Sequence, residues 1–419
     1  MFKFVHAADI HLDSPRGGID RDRDAPADEI RHAPRQALEN LVGLAIDEAA
    51  DFVLIAGDLY DGDWKDFRTG LFFIAQMVRL REAGIPVFLI AGNHDAANKM
   101  TRTLELPDNV RLLSERRAET VRLDELGVAI HGQSFAKAAV TDDLAAAYPD
   151  RARGMFNIGL LHTCATRSGE HERYAPCTLD GLRGKEYQYW ALGHIHKREI
   201  LHRDPLIVFP GNLQGRHIRE SGAKGCYLVT VDDRENAVEE FRPLDVLRWE
   251  YCPVDVAGAA TGADAVERVA RRLHELVAAS DDRPLAVRVE LRGDSAAHQQ
   301  LVAESQRWQH EIKAQGLLHG DGRIWIERVV VATTPPRDAP ALSEGPLAEL
   351  LQYLVELRDD PQALGELALE LEPLRQKLPH ELIHELHLPA GGDPAGMIEL
   401  LDDAQQILSH RFLTRGGAK

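Results

Sequence analysis

Lys3-Phe4-Val5-His6-Ala7-Ala8-Asp9-Ile10-His11 is the stretch on which the fold turns. Its first part, residues 3–8, is a short apolar run with the composition of a buried strand. It ends on a carboxylate and an imidazole two positions apart. In extended backbone such residues leave the chain on the same side, so Asp9 and His11 can close on one ion. The same unit recurs along the chain. A run at 52–56 leads into Gly57-Asp58-Leu59-Tyr60-Asp61, 87–91 into Gly92-Asn93-His94-Asp95, 158–161 into His162, and 189–192 into Gly193-His194-Ile195-His196. Open αβ sheets present their functional loops where strands end.

Between the first two strands, Leu38, Leu41, Val42, Ala45 and Ala49 fall at helical spacing after Pro34, which suits the first turn of a helix. Residues 66–83 read as the next crossover helix. With further strands at 128–131, 206–209 and 226–231, the spacing predicts a layered α/β domain over residues 1–242. Composition shifts at Arg242-Pro243. A helix at 264–279, a strand at 285–291, a helix at 296–314 and a strand at 323–332 then predict a small αβ module over 243–333. Thr333-Thr334-Pro335-Pro336-Arg337-Asp338-Ala339-Pro340 reads as a linker, assigned to 334–340. The rest, 341–419, reads as helical. Leu347, Leu350, Leu351 and Leu354 form one stripe. Leu364, Leu367, Leu371, Leu374 and Leu378 form another, interrupted by Pro373. Two helices folding back on the body are expected, with a docking site for another protein's helices as the alternative.

Composition limits the function classes. Hydrophobic residues make up 44% and charged residues 28%, ordinary for a globular chain. The net charge of −18 repels polyanions at long range, so any grip on nucleic acid must be local or shared with a partner. Cys164, Cys177, Cys226 and Cys252 lie far apart with no CxxC pair, which suits reduced thiols and excludes a cysteine metal site. Met1 leads directly into Phe2-Lys3-Phe4-Val5 without a signal-peptide core, and no apolar run reaches about 18 residues. A soluble, cytoplasmic protein without membrane contact is expected.

The candidate ligands are Asp9, His11, Asp58, Asn93, His162, His194 and His196. Carboxylate and imidazole without thiolate suit Mn, Fe or Zn better than a calcium cage. Gly57, Gly92 and Gly193 stand immediately before ligands, where a missing Cβ lets the chain leave its strand sharply. A lone Asp-x-His is common by chance, and Gly-Asn-His-Asp alone suits a simple turn. The whole set, each cluster after a strand, offers seven ligands, enough for two cations that share one carboxylate and leave room for water.

The order Asp-x-His, Gly-Asp, Gly-Asn-His-Asp, lone His and Gly-His-x-His resembles the motifs of the calcineurin-like metallophosphoesterase superfamily. Within it, Ala8-Asp9-Ile10-His11-Leu12-Asp13-Ser14-Pro15 and Phe209-Pro210-Gly211-Asn212-Leu213-Gln214-Gly215-Arg216-His217-Ile218-Arg219-Glu220 are similar to the YhaO branch of SbcD-type DNA exonucleases. Beyond residue 242 the resemblance lies only in layout. It implies a four-layer β-sandwich flanked by helices, a capping module and a helical tail. It also implies two divalent ions, Mn²⁺ foremost, with Fe²⁺, Zn²⁺ or Mg²⁺ as alternatives. Asp9, His11, Asp58 and His196 would hold the first, and Asp58, Asn93, His162 and His194 the second, with Asp58 bridging. His94 would touch the scissile phosphate and protonate the leaving oxygen, oriented by Asp61 or Asp95. Archaeal and eukaryotic relatives carry a histidine shortly after Gly-Asp, where this chain has Asp61, so that histidine's phosphate contacts do not transfer.

For substrate contacts, His171, Arg173 and Tyr174 offer stacking and phosphate binding, with an ordinary solvated loop as the alternative. Arg216, His217 and Arg219 can reach a phosphate backbone or pair with Glu220. The implied partners are DNA, an SMC-like ATPase of SbcC or YhaN type, and a second copy of the chain. Two competing readings stand beside the exonuclease: a small-molecule phosphodiesterase or protein phosphatase with the same metal motifs, and a DNA-end-binding scaffold subunit.

Overall fold

Alternate residues of β1 (Phe2–Ala7) face two different cores, and this period of two organises the catalytic unit. Phe2 and Phe4 pack on one side and Val5 and Ala7 on the other. The pattern repeats in β2 (Phe52–Ala56) and β3 (Val87–Ile90), whose residues are all buried. This computed structural model describes residues 1–14, 25–61, 67–97, 105–165, 174–320, 322–336, 346–358, 360–375, 377, 396–398, 400–401 and 404. The remaining strands are β4 (Val110–Leu112), β5 (Glu119–Leu123), β6 (Val128–Gly132), β7 (Phe156–His162), β8 (Tyr189–Gly193), β9 (Glu199–Arg203), β10 (Leu206–Phe209), β11 (Gly225–Val231), β12 (Ala237–Pro243), β13 (Arg248–Asp255), β14 (Leu285–Asp294) and β15 (Ile324–Thr334).

Two six-stranded sheets result, ordered β12-β11-β1-β2-β3-β4 and β5-β6-β7-β8-β10-β9. Phe4, Phe52, Leu54, Ile90, Ile158, Leu160, Tyr189 and Ala191 fill the space between them. There the Phe4 and Phe52 rings stack at 5.0 Å and Tyr189 meets Phe4 edge-on at 5.1 Å. Helices α1 (Ala27–Asp47) and α2 (Arg68–Glu82) cover the outer face of the first sheet through Leu38, Leu41, Phe73 and Met77. Beyond α3 (Asn93–Ala97), helix α4 (Leu179–Arg183) sets Leu182 against Trp190 and Leu192 on the outer face of the second. These are the four layers of a metallophosphoesterase sandwich.

The chain divides into two compact units. One comprises Met1–Tyr251, Val277–Val287 and Arg323–Glu327; the other comprises Cys252–Leu276, Arg288–Gly322 and the described part of Arg328–Lys419. Residues 242 and 243, the expected boundary, lie in β12, and the first unit runs on to Tyr251. In the second unit, α5 (Gly262–Ala278) buries Ala265, Val269 and Leu273. A Cβ at Gly262 would run into the Trp308 indole, so glycine permits that close approach. The helix expected at 296–314 is two, α6 (His298–Ala303) and α7 (Ser305–His319), broken at Glu304, whose backbone leaves helical space at φ −105°, ψ 33°. Farther on, α8 (Pro346–Arg358) and α9 (Pro361–Arg375) contribute Leu354, Leu357, Leu364 and Leu371 to a cluster with Met397 and Leu401.

Several details differ from the sequence reading. Helix α1 begins at Ala27 and passes through Pro34, because Asp28 and Glu29 favour its first turn and Ile30 is anchored against Leu247 and Trp249. That anchoring offsets the backbone bond that Pro34 cannot make. Pro373 likewise lies inside α9, and Thr333 and Thr334 belong to β15 rather than a linker. Residues 62–66, 337–345 and 378–395, which include the start of the second expected helix, most of the linker and Leu378, lie outside the described residues. No helix among the described residues is long and apolar enough to cross a membrane.

Candidate metal centre

Strands β1, β2 and β3 run parallel, as do β7 and β8, and all five candidate clusters sit at their C-terminal ends. The turn off each strand is tight. Asp9, His11, Asp58 and His194 have positive φ of 51°, 46°, 52° and 103°, a region costly for residues with a Cβ. Gly57 has φ 90°, and a Cβ at Gly193 would run into the Ala56 carbonyl oxygen. Strands β2 and β8 therefore approach at the site more closely than any other residue would allow.

The side chains converge in two overlapping groups. Asp9, His11 and His196 can reach one ion, and Asp58, His162 and His194 another, while His11 and Asp58 also meet His94. His11 Nε2 lies 3.9 Å from Asp58 Oδ2, and His162 Nε2 lies 3.4 Å from the same oxygen. Asn93 joins through Oδ1, 3.0 Å from His162 Nε2. Asp9 accepts a backbone N–H from His194 at 3.0 Å, and Asp58 accepts one from His94 at 3.0 Å.

This arrangement fits cations. His162 Nδ1 donates to the Ala56 carbonyl at 2.9 Å, which leaves a lone pair on Nε2 facing the Asn93 and Asp58 oxygens. His196 Nδ1 donates to Glu220 Oε1 at 2.7 Å, which leaves its Nε2 facing His11 Nε2 at 3.1 Å. The Nε2 lone pair of His162 and the Asn93 and Asp58 oxygens repel one another unless positive charge lies between them. The same imbalance pushes His162 up to about 9: burial lowers its pKa, but the charge and hydrogen bond of Asp58, the Asp9 charge and the Ala56 carbonyl together raise it more. Burial pushes Asp9 up to about 6. Asp58 is held well below the carboxylate range, since the neighbouring histidines outweigh its burial.

His94 differs from the ligand candidates. Its side chain is 39% exposed, whereas those of His11, Asp58 and His162 are 2% or less. Its Nδ1 donates to Asp61 Oδ1 at 2.6 Å, and this hydrogen bond raises its pKa. Asp61 also accepts from Ser14 Oγ and from Arg216 Nη1. Asp95 acts elsewhere: it accepts the backbone N–H groups of Leu59, Tyr60 and Gly92, tying two of the loops together.

Among the expected substrate contacts, His171 and Arg173 lie outside the described residues. Tyr174 packs edge-on against His194 at 5.4 Å, and Phe135 packs on His162 in the same way. Arg216 points into the site and bonds Glu220 and Asp61, while His217 and Arg219 are exposed. The sequence reading missed the orienting role of Glu220. Its spacing from Arg216 suggested only a surface pair, and nothing local ties it to His196.

The calcineurin-like phosphoesterase family model matches residues 2–198, and that of the middle domain of metallophosphoesterase YhaO matches 249–334. The uncharacterized metallophosphoesterase YhaO of Bacillus subtilis (strain 168) is 37% identical over 294 residues, 69% of this chain and 71% of that protein. The DNA double-strand break repair protein Mre11 of Sulfurisphaera tokodaii is 28% identical over 319 residues, 73% of this chain and 77% of that one. Its namesake from Methanopyrus kandleri is 25% identical over 400 residues, 87% and 85% of the two chains. With its parallel strands ending in clustered aspartates and histidines, the chain belongs to the calcineurin-like metallophosphoesterases, in the YhaO family.

Proposed function

We propose that this phosphoesterase is a DNA repair exonuclease that hydrolyses the phosphodiester backbone. The observation that carries the reading is the pairing of a buried donor set with one half-exposed histidine at its rim. Asp9, His11, Asp58 and His196 would hold one divalent ion and Asp58, Asn93, His162 and His194 a second, with Asp58 shared. Two Mn²⁺ ions bound there supply an activated water and positive charge for the non-bridging phosphate oxygens. Asp61 at Nδ1 favours the imidazolium form of His94, whose Nε2–H would pass its proton to the leaving 3′ oxygen as general acid. The Mre11 relatives, named for double-strand break repair, support DNA as the substrate. By the resemblance of its motifs to SbcD-type exonucleases, a homodimer and an SMC-like ATPase partner complete the assembly, with residues 341–419 as the docking region and 243–333 as a capping or DNA-recognition domain.

Cleavage of linear DNA and of bis-p-nitrophenyl phosphate with Mn²⁺ tests the reading. The parent is expected to cut both. His94→Gln should lower DNA cleavage by about 10² to 10⁴, the usual worth of a general acid. It should affect bis-p-nitrophenyl phosphate much less, because nitrophenolate leaves without a proton. Hydrolysis of the small ester alone, even with an added ATPase partner, would replace the nuclease with a small-molecule phosphodiesterase. Metal-dependent DNA-end binding without any hydrolysis would replace it with a scaffold subunit.

A further inference from the structure

His94 and His196 both lie against His11, and one hydrogen-bonded chain connects them. Glu220 is buried and its two oxygens are fully engaged. Oε1 accepts from His196 Nδ1 at 2.7 Å and from Arg216 Nε and Nη2 at 3.2 and 3.0 Å. Oε2 accepts from Asn212 Nδ2 and from the Arg216 backbone, both at 2.8 Å. Asn212 in turn bridges to Ala8, the residue before Asp9, so the loop is fastened to the end of β1. From this anchor the Arg216 fork extends Nη1 to Asp61 Oδ2 at 3.3 Å, and Asp61 Oδ1 holds His94 at 2.6 Å. The side chain is only 19% exposed, and its planar, preorganised donors suit two carboxylates at once.

Resting on the functional reading above, we propose that Arg216 is a positioning residue that links the general acid His94, through Asp61, to the metal-holding His196, through Glu220. The segment around it supports a role inward rather than toward substrate, since Arg219 is exposed and the half-exposed His217 reaches Glu220 only at 3.8 Å, while Arg216 and Glu220 turn in. Asp61 accepts from Arg216 and Ser14 on one oxygen and from His94 on the other, so Arg216 supplies its fixed positive partner. Loss of the fork removes the charged partner shared by both carboxylates, so two separate properties should change together: Mn²⁺ affinity through His196 and proton delivery through His94.

The test uses the full chain with Arg216→Met, Arg216→Lys, Glu220→Gln and Asp61→Asn, each checked for parental folding by circular dichroism. Mn²⁺ binding is titrated by electron paramagnetic resonance, and rates are measured on DNA and on bis-p-nitrophenyl phosphate. Arg216→Met should weaken Mn²⁺ binding at one site by about 10- to 100-fold, the usual effect of losing an orienting partner. It should also lower DNA cleavage more than ester hydrolysis at saturating Mn²⁺. Glu220→Gln should reproduce mainly the first effect and Asp61→Asn mainly the second, and Lys should restore neither fully because one ammonium cannot replace the fork. Unchanged Mn²⁺ affinity in Arg216→Met would overturn the proposal. So would an equal fall on both substrates through KM alone, which would make Arg216 a phosphate contact. If the parent hydrolyses neither substrate, the functional reading fails, while the Mn²⁺ titrations still decide the link between Arg216 and His196.

Discussion

His162 and His196 face the same cleft but are held in different ways. The ring of His162, the last residue of β7, is fixed by the backbone carbonyl of Ala56 on the opposite sheet and braced by Phe135. His196 lies on a loop and depends on the side chain of Glu220, which sits 24 residues downstream. One half of the site is thus built into the sheets, where any change disturbs the fold. The other half rests at His196 on a side chain, whose replacement is expected to leave the fold intact. Asp58 joins the two.

The largest expected effect removes that joint. Asp58→Asn should lower hydrolysis by about 10³-fold, since charge stabilisation by bound cations is worth several kcal/mol. Both halves should lose Mn²⁺ in a titration; loss from one half alone would show that Asp58 is not shared. Gly193→Ala tests the half built into the sheets. Its Cβ has nowhere to go against the Ala56 carbonyl and the His162 ring, so stability should fall by about 3 kcal/mol, read as a lower urea midpoint. Glu220→Gln, with its much smaller expected effect on that midpoint, provides the contrast.

This difference also explains what was legible in the sequence. Asp9, His11, Asp58, Asn93, His162, His194 and His196 could be picked out because each follows an apolar run, and strand ends are local features. A layered α/β domain followed from the same runs, and its four layers from the family resemblance that the motifs carry. Glu220 and the inward turn of Arg216 were not legible, because their partners His196 and Asp61 are distant in sequence and meet only through the fold. Edge strands such as β5, β9 and β12 were missed for a related reason. Half-exposed and rich in charge, they lack a continuous apolar signal. The start of α1 was misplaced because Pro34 reads as a first-turn residue when the distant anchors of Ile30 are unknown.

Below the metal site, His6 gives a pH-dependent measure of the inter-sheet core. It is fully buried, with Nδ1 2.9 Å from Tyr189 Oη and Nε2 3.2 Å from the Leu192 carbonyl, and burial lowers its pKa to about 3. The unfolded chain takes up this proton near pH 6.5 and the folded one does not. The stability His6 contributes is therefore fully present above about pH 6.5 and is lost as pH falls toward 3. By pH 5 the loss should be on the order of 2 kcal/mol. His6→Gln should flatten the parent's stability profile between pH 6.5 and 4, with the difference between the two proteins cancelling contributions from Asp9 and Asp95. Parallel profiles would mean that the core admits a charged His6, and that the sheets are less rigid than the His162 half requires.

The smallest effect belongs to ring packing. Tyr174 meets the His194 ring edge-on at 5.4 Å and shares an apolar cluster with Phe135, Val140 and Ala175, so Tyr174→Leu keeps the cluster and removes the aromatic contact. Such a contact is worth about 0.5 to 1.5 kcal/mol. Mn²⁺ affinity should therefore fall by no more than about tenfold, less than in Glu220→Gln. The reason is geometric. An edge-on ring limits how far His194 can tilt but does not decide which nitrogen carries its proton, whereas a carboxylate on Nδ1 does both for His196. A loss in Tyr174→Leu as large as in Glu220→Gln would mean that packing alone can hold a ligand in place, and the contrast between the two halves would collapse.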